Sequence, residues 1–273
     1  MLAALHDVGI DARYCEHLKD DIEDAARGMD MLIAAGGDGT VTSVVTGTAD
    51  RGVPVAILPL GGSNNIARAL GIRQSPESVI HGLPQAREQQ LTIGAVTGPF
   101  GRRLFVEAVG LGALNDAIER VDEDPDTPQE KRENGRMAFR EALAEGAPFD
   151  CILDIDGQSF EGPWLLIEVL NIPAIGPRLP FAPRADPADG YLDVLLVREA
   201  DREAMTLWAE HFSGPPPARI EAGRRISLEG RGMCTRIDDR PVDLPNEDWR
   251  MTLELDGAPA TILIPRTMKV EEA

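Results

Sequence analysis

Cysteine is scarce. Cys15, Cys151 and Cys234 are the whole complement. Their odd number and wide spacing exclude a disulfide framework and point to reduced thiols in a cytosolic protein. Cys15 and His17 have no second pair of ligands near them in the sequence, which argues against zinc. Positive charge is also short: 27 Lys and Arg stand against 46 Asp and Glu, a formal net charge of −19. That excludes a general nucleic-acid binder, because neutralising phosphates needs a basic face. It equally argues against electrostatic adhesion to anionic lipid, though not against one lipid molecule held in a pocket. No apolar run approaches the roughly 18 residues of a membrane span. The opening "MLAALHDVGIDARYC" is too short and wrongly charged for a signal peptide. Lysine occurs only at 19, 131 and 269, and no G-K-[ST] exists, so a P-loop is excluded. There is no internal repeat and no low-complexity tract.

What is present is an ordinary globular composition. The 273 residues are 43% hydrophobic, enough for one large domain or two modest ones. Up to about residue 88 the pattern alternates. "MLAALHDVG" reads as the end of a helix, "DARYCE" as a strand, and "DDIEDAARG" as a helix stopped by Gly28. "DMLIAA" and "VPVAILPL" are strands with consecutive apolar residues, as in a parallel sheet covered on both faces. "VTSVVTGT" and "SNNIARAL" are short helices. Alternation of this kind predicts a parallel sheet wound in βα units. From residue 89 onward, short strands follow one another: "QQLTIGAVTG", "RRLFVEAVG", "FDCILDIDGQSF", "WLLIEVLNI", "YLDVLLV", "ARIEAG", "RRISLEG", "MCTRIDD" and "WRMTLELDG". Their spacing predicts a β-sandwich, with helices at 113–121, 128–145 and about 201–212. The expected organisation is an α/β domain over 1–88 and a mostly-β domain over 89–273, the extreme C-terminus returning to the first.

Two glycine turns carry the chemistry. "AAGGDGT" ends one strand of the first domain and "LPLGGSNN" ends the next, so the turns should be neighbours on one edge of the sheet. Open α/β sheets place ligands at that edge. Glycine lets backbone N–H groups approach a ligand, and the helices that follow aim their N-termini at the same spot, which suits phosphate. Asp38 is then an acid facing an anion, which makes sense if it binds ribose hydroxyls or holds Mg²⁺. Gly37 and Gly39 give G-x-G, but Thr42 stands where the dinucleotide fingerprint has its third glycine. A strand-to-helix turn of this kind also occurs with no ligand; two in register shift the balance towards one.

"GGDGTV", "LPLGGSNNIARALGI" and "PRADPADGYLDVLLV" together resemble the diacylglycerol kinase catalytic family, in its bacterial lipid-kinase branch. The resemblance runs over nearly the whole chain in order, and the D-G-x-L-D segment separates lipid kinases from NAD kinases. It implies an α/β nucleotide-binding domain and a β-sandwich lipid-binding domain with the active site in the cleft between them. It also implies transfer of the ATP γ-phosphoryl group to a diacylglycerol-like lipid hydroxyl, with Mg²⁺. The lipid substrate would be taken from a membrane surface by a cytoplasmic protein. By match to the motifs, Gly36, Gly37, Asp38, Gly39 and Thr40 would contact ATP, and Gly61, Gly62 and Ser63 would line a second nucleotide loop. Asp189 would be the side-chain ligand of a structural Mg²⁺, with backbone carbonyls near Asp186 and Tyr191. A plain Asp-Gly turn is the alternative there.

The chain departs from the family pattern in three places. The usual opening strand, Asn-Pro turn and Gly/Ser-rich loop are missing. A misassigned start or a fragment is the preferred reading over true loss, and without that strand the sheet exposes an apolar edge. The family's G-T-x-N-D reads Gly61-Gly62-Ser63-Asn64-Asn65, and Asn65 cannot serve as an anionic Mg²⁺ anchor. The family's D-G-E-P reads Asp238-Asp239-Arg240-Pro241, with an arginine in place of the general base on the lipid hydroxyl. Arginine stays protonated, so an adjacent acid must substitute, and Asp239 is preferred over Asp238. The alternatives are a solvated turn and a catalytically impaired nucleotide- or lipid-binding protein. Arg68 could neutralise phosphate or be an exposed helix arginine, "VEAVGLGAL" should border the cleft, and Arg219, Arg224, Arg225, Arg231 and Arg236 form a local basic excess, a receiver for a phosphorylated product or lipid headgroup or, more simply, a solvated strand face.

Overall fold

A computed structural model describes residues 1–15, 22–120 and 127–266. The end of "DARYCE" and most of the acidic loop "DEDPDTPQ" lie outside the described residues. The chain divides into two compact units, Met1–Leu91 with the tail from Ala258, and Thr92–Gly257.

The first unit holds helices Leu2–Asp7 (α1), Ile22–Ala26 (α2), Asp38–Thr48 (α3), Asn65–Ala69 (α4) and Pro76–Gly82 (α5). Its strands are Leu32–Gly36 (β1), Val55–Pro59 (β2), Arg87–Leu91 (β3) and, from the far end of the chain, Ala260–Ile264 (β15), in the order β1-β2-β15-β3. β1 and β15 both run parallel to β2, and β3 closes the far edge antiparallel. Central β2 is buried along Val55, Ala56, Ile57 and Leu58, the continuous apolar run of a strand covered on both faces.

Helix α3 forms despite its β-branched residues because Val41, Val44, Val45 and Thr48 fall on one stripe and are all buried, so packing outweighs intrinsic propensity. The hydroxyls of Ser43, Thr46 and Thr48 donate back to the carbonyls of Gly39, Thr42 and Val44 at 2.7–2.9 Å, which keeps them from competing elsewhere. Gly28 adopts φ +73 just beyond α2, the left-handed stop expected there. The strand expected over "DARYCE" is corrected: residues 11–15 have no regular structure. Tyr14 is 75% exposed, so the segment has no buried face to reward an extended backbone.

The second unit is one large, curled antiparallel sheet. Its strands are Gly94–Gly98 (β4), Gly101–Phe105 (β5), Ala108–Gly112 (β6), Phe149–Ile155 (β7), Gln158–Leu170 (β8), Leu192–Arg198 (β9), Arg219–Gly223 (β10), Arg225–Arg231 (β11), Cys234–Ile237 (β12), Arg240–Asp243 (β13) and Asp248–Leu255 (β14). The main path is β13-β12-β6-β8-β7-β11-β14-β4-β5, with β9 and β10 branching from β8. Phe105, Trp164, Ile167, Leu196, Met251 and Leu253 anchor its core, each worth about 1.5–3 kcal/mol of burial.

Helices Ala113–Arg120 (α6), Pro128–Glu145 (α7) and Arg202–Trp208 (α8) complete this unit. α7 starts with a reciprocal capping box between Thr127 and Glu130. Several expectations are corrected here: "RRLFVEAVG" is broken at Val106 and Glu107, and "FDCILDIDGQSF" turns at Asp156 and Gly157. "QQLTIGAVTG" is not one strand: Thr92 and Ile93 break it, and its halves enter different sheets. The helix expected to about 212 ends at Trp208, and Phe212 follows with φ +50. Among the described residues no helix is long and apolar enough to cross a membrane.

Candidate functional site

The two glycine turns are in contact. β1 and β2 are parallel neighbours in register Gly36↔Pro59, so both turns leave the same edge of the sheet. Leu60 N–H donates to the Gly36 carbonyl at 3.0 Å. A Cβ on Gly61 would collide with the Gly37 Cα, and one on Gly37 would lie 3.3 Å from the Gly61 Cα. Gly36 is dictated by its own loop, since a Cβ there would strike the Thr40 side chain. Thr40 and Gly39 sit in the first turn of α3, whose N-cap, Gly37, contributes no side-chain capping bond. The first-turn N–H groups of an 11-residue helix therefore lie beside a second glycine loop, an arrangement that favours an anion.

Asp38 has an identifiable partner. Its Oδ1 accepts the Ile66 N–H of α4 at 2.9 Å, so the carboxylate of one turn caps the helix that follows the other. The second turn is closed from within: Asn64, at φ +51 and ψ +47, accepts the Gly61 N–H at 2.9 Å and donates to the Gly61 carbonyl at 2.7 Å. Gly62 and Ser63 form the arc between them. Asn65 is 4% exposed and inside the fold. The structure thus brings Gly36, Gly37, Asp38, Gly39, Thr40, Gly61, Gly62 and Ser63 into one patch of the first unit. It gives Asp38 a structural duty, tying the turns together, that the sequence pattern did not disclose.

In the second unit, the "IDDRP" segment is the β12–β13 hairpin on the sheet edge, with Asp238 and Asp239 as its two-residue tip. The two acids point into different surroundings. Asp238 is 5% exposed at φ +52. Its carboxylate accepts the N–H groups of Val106, Glu107 and Ala108 at 2.7–3.2 Å. Burial pushes its pKa up to about 6 against the pull of those three donors and of Arg236. Asp239 faces solvent, its side chain 66% exposed and 3.8 Å from the Arg240 guanidinium. The stretch "VEAVGLGAL" therefore supplies a cradle of consecutive amides for Asp238, a role with no signal in the sequence.

Asp189 lies in the loop before β9. Its Oδ1 accepts the Tyr191 N–H at 2.9 Å and its own N–H donates to the Asp186 carbonyl at 3.2 Å. Asp193, on β9, has a pKa raised to about 6, by burial first and then by the charge of Asp189. Asp189 and Asp193 are close enough to repel each other, and carboxylate oxygen is the ligand type a hard divalent cation prefers. Among the described residues no group of three or more His, Cys, Asp or Glu side chains could hold a metal ion. Asn171 ties this loop to the hairpin cradle. Its Nδ2 donates to the carbonyls of Thr92 and Val106, both at 2.9 Å, and the Thr92 hydroxyl hydrogen-bonds to Asn171 Oδ1 and to the Pro187 carbonyl. The basic excess is not one anion site: Arg219 pairs with Glu221, Arg225 with Glu254, Arg224 stacks on Tyr191, Arg231 donates to the Asn246 carbonyl, and Arg236 is buried against Glu168.

An α/β unit with paired glycine turns, joined in one chain to an antiparallel β unit, defines a kinase-like two-domain architecture. Residues 5–96 match the model of the diacylglycerol kinase catalytic domain, and residues 111–239 match that of the YegS C-terminal NAD kinase beta sandwich-like domain. The chain belongs to the diacylglycerol kinase catalytic family, in its bacterial lipid-kinase branch. It is 30% identical over 209 residues to the diacylglycerol kinase of Bacillus subtilis, a match spanning 70% of this chain and 64% of that protein. A crystal structure of a diacylglycerol kinase from Bacillus anthracis superimposes with a TM-score of 0.69 at 18% identity, over 96% of this chain and 90% of the other. An NAD kinase from Archaeoglobus fulgidus in complex with ATP gives 0.53 at 14% identity, over 98% and 88%.

Proposed function

We propose that this chain is an ATP- and Mg²⁺-dependent lipid kinase that transfers the γ-phosphoryl group to a diacylglycerol-like hydroxyl. The observation that carries the reading is the contact of the two glycine turns, with Asp38 bridging them and the first turn of α3 open towards the same patch. In support, the relatives are named as lipid kinases, and an NAD kinase of similar fold is known with ATP. In this reading Gly36–Thr40 contact the ATP phosphates and Gly61–Ser63 line the second nucleotide loop, whose Gly61 N–H stays with Asn64. Phosphoryl transfer asks mainly for positioning and charge stabilisation. Asp239 takes the proton of the lipid hydroxyl as its oxygen bonds to the γ-phosphorus and the bond to the ADP oxygen breaks. Asp189, with carbonyls near Asp186 and Tyr191, would hold a structural Mg²⁺, and Asp193 adds a second carboxyl group. Bound Mg²⁺ supplies positive charge to a locally acidic loop.

The test is ATP turnover against a mixed lipid panel, with NADP formation followed in parallel. Lipid-dependent ADP release without NADP is expected; NADP formation, or no turnover with any lipid, would refute the reading. A positioned base is worth about 10²–10⁴ in rate, so Asp239→Asn should lower turnover by a factor in that range with ATP affinity unchanged. The Asp239–Arg240 pair favours one second reading, a nucleotide- or lipid-binding protein that has lost the base. In that case wild-type turnover is already low and Arg240→Glu raises it.

A further inference from the structure

The tip of the β12–β13 hairpin is held more firmly than an edge hairpin of four-residue strands requires. Asp238 is engaged at every hydrogen-bonding group it has. Its N–H donates to the Ala108 carbonyl at 2.8 Å, its carboxylate fills the amide cradle of 106–108, and its carbonyl accepts from Arg236 Nη1. Arg236 in turn places Nη2 2.6 Å from Glu168 Oε2. The two side chains are 2% and 0% exposed. The β6 strand makes room for this pair: a Cβ on Gly110 would collide with both carboxylate oxygens of Glu168.

A buried ion pair is a poor device for stability, because well-packed apolar residues of similar volume usually do as well or better. What this pair does accomplish is geometric. Glu168, near the end of the long β8 strand, fixes the guanidinium, and the guanidinium fixes the carbonyl of the residue preceding Asp239. Asp239 and Arg240 are thereby referenced to the centre of the sheet although they sit at its edge. We propose that Glu168 and Arg236 are positioning residues, which hold the Asp238–Asp239 tip in the one geometry the transfer step uses. The proposal rests on the reading of Asp239 as the base.

The experiment uses the full chain as wild type, Glu168→Leu/Arg236→Met, Arg236→Lys and Asp239→Asn. It measures the urea midpoint, amide exchange at residues 238–240, kcat and the KM for ATP. The double variant is expected to keep a midpoint close to wild type, exchange its tip amides at least tenfold faster, and lose tenfold or more in kcat with KM within twofold. Arg236→Lys keeps a charge for Glu168 but not the fork that reaches both partners, so it should show the same faster exchange even if the double variant does not fold. Wild-type exchange at the tip in a folded variant would overturn the proposal whatever the activity. Faster exchange with wild-type kcat would also overturn it. If Asp239→Asn then turns over normally as well, the base assignment is what failed; if Asp239→Asn is slow, the base stands and the positioning role does not.

Discussion

At the residue level, two aspartates are held by backbone amides but answer to different forces. Asp38 accepts the Ile66 N–H, so Asp38→Ala should cost about 0.5–2 kcal/mol, as loss of a helix cap does. It should also abolish thermal protection by ATP–Mg²⁺, which for a ligand at 100 times its Kd amounts to about 2.7 kcal/mol. Asp38→Asn keeps an oxygen for Ile66 and should retain most of the stability. Melting curves with and without ATP check both statements, and equal protection of Asp38→Ala and wild type would remove Asp38 from the site.

Asp238 has its pKa raised from 3.8 to about 6 by burial, so the folded chain holds that proton more tightly than the unfolded one. Its stabilising contribution is complete below about pH 4 and is lost as pH rises through about 6, about 3 kcal/mol in all. Denaturant titrations from pH 4 to 7.5 should therefore show wild type losing ground to Asp238→Asn by that order. A pH-independent difference would mean that the three N–H donors and Arg236 outweigh burial.

At the scale of elements, the glycine turns and the hairpin cradle depend on close approach rather than on side-chain chemistry. Gly61 and Gly37 face each other but are not equivalent. A Cβ on Gly61 meets backbone, the Gly37 Cα, at a distance real atoms do not adopt, whereas a Cβ on Gly37 has 3.3 Å to the Gly61 Cα. Gly61→Ala should then push the turns apart, destabilise the chain by roughly 1–3 kcal/mol as overpacking does, and remove nucleotide protection. Gly37→Ala should be milder on both counts. Equilibrium unfolding and ATP melting shifts of the two variants test the order, which a structure with separated turns would not produce. Here the sequence was informative about type and poor about partners. "AAGGDGT" and "LPLGGSNN" announce strand-to-turn-to-helix units by composition. Only the parallel pairing of β1 with β2 shows that their glycines touch, because register is a property of two strands and not of either one.

At the scale of the whole molecule, the first unit is discontinuous in sequence. Its third strand in spatial order, β15, comes from beyond the second unit and sits between β2 and β3. A chain stopped after Gly257 would lack that strand and leave β2 and β3 with unpaired edges. The expected result is selective loss of the first unit. Limited proteolysis should then yield a resistant fragment close to Thr92–Gly257, while the full chain protects both. Equal protection of the first unit in the truncated chain would show that β15 is dispensable.

Local pattern along the chain was enough for the classes of element and of chemistry. Consecutive apolar runs bounded by glycine mark a covered parallel sheet, and short strands with turn residues between them mark the β unit. The GGDGT and D-G-Y-L-D segments mark the family, because local patterns of size, charge and backbone freedom are written residue by residue. Where local pattern carried no packing reward it misled, as at residues 11–15, and across Thr92–Ile93 one apolar run concealed a passage from one sheet to another. It took the folded chain to show which of two adjacent acids is buried, that Arg236 lies in the interior rather than on a solvated face, and that Gly110 makes room for Glu168. Each of these depends on what a distant strand places opposite the residue, and burial, not identity, sets the charge state and the partners of an ionisable side chain.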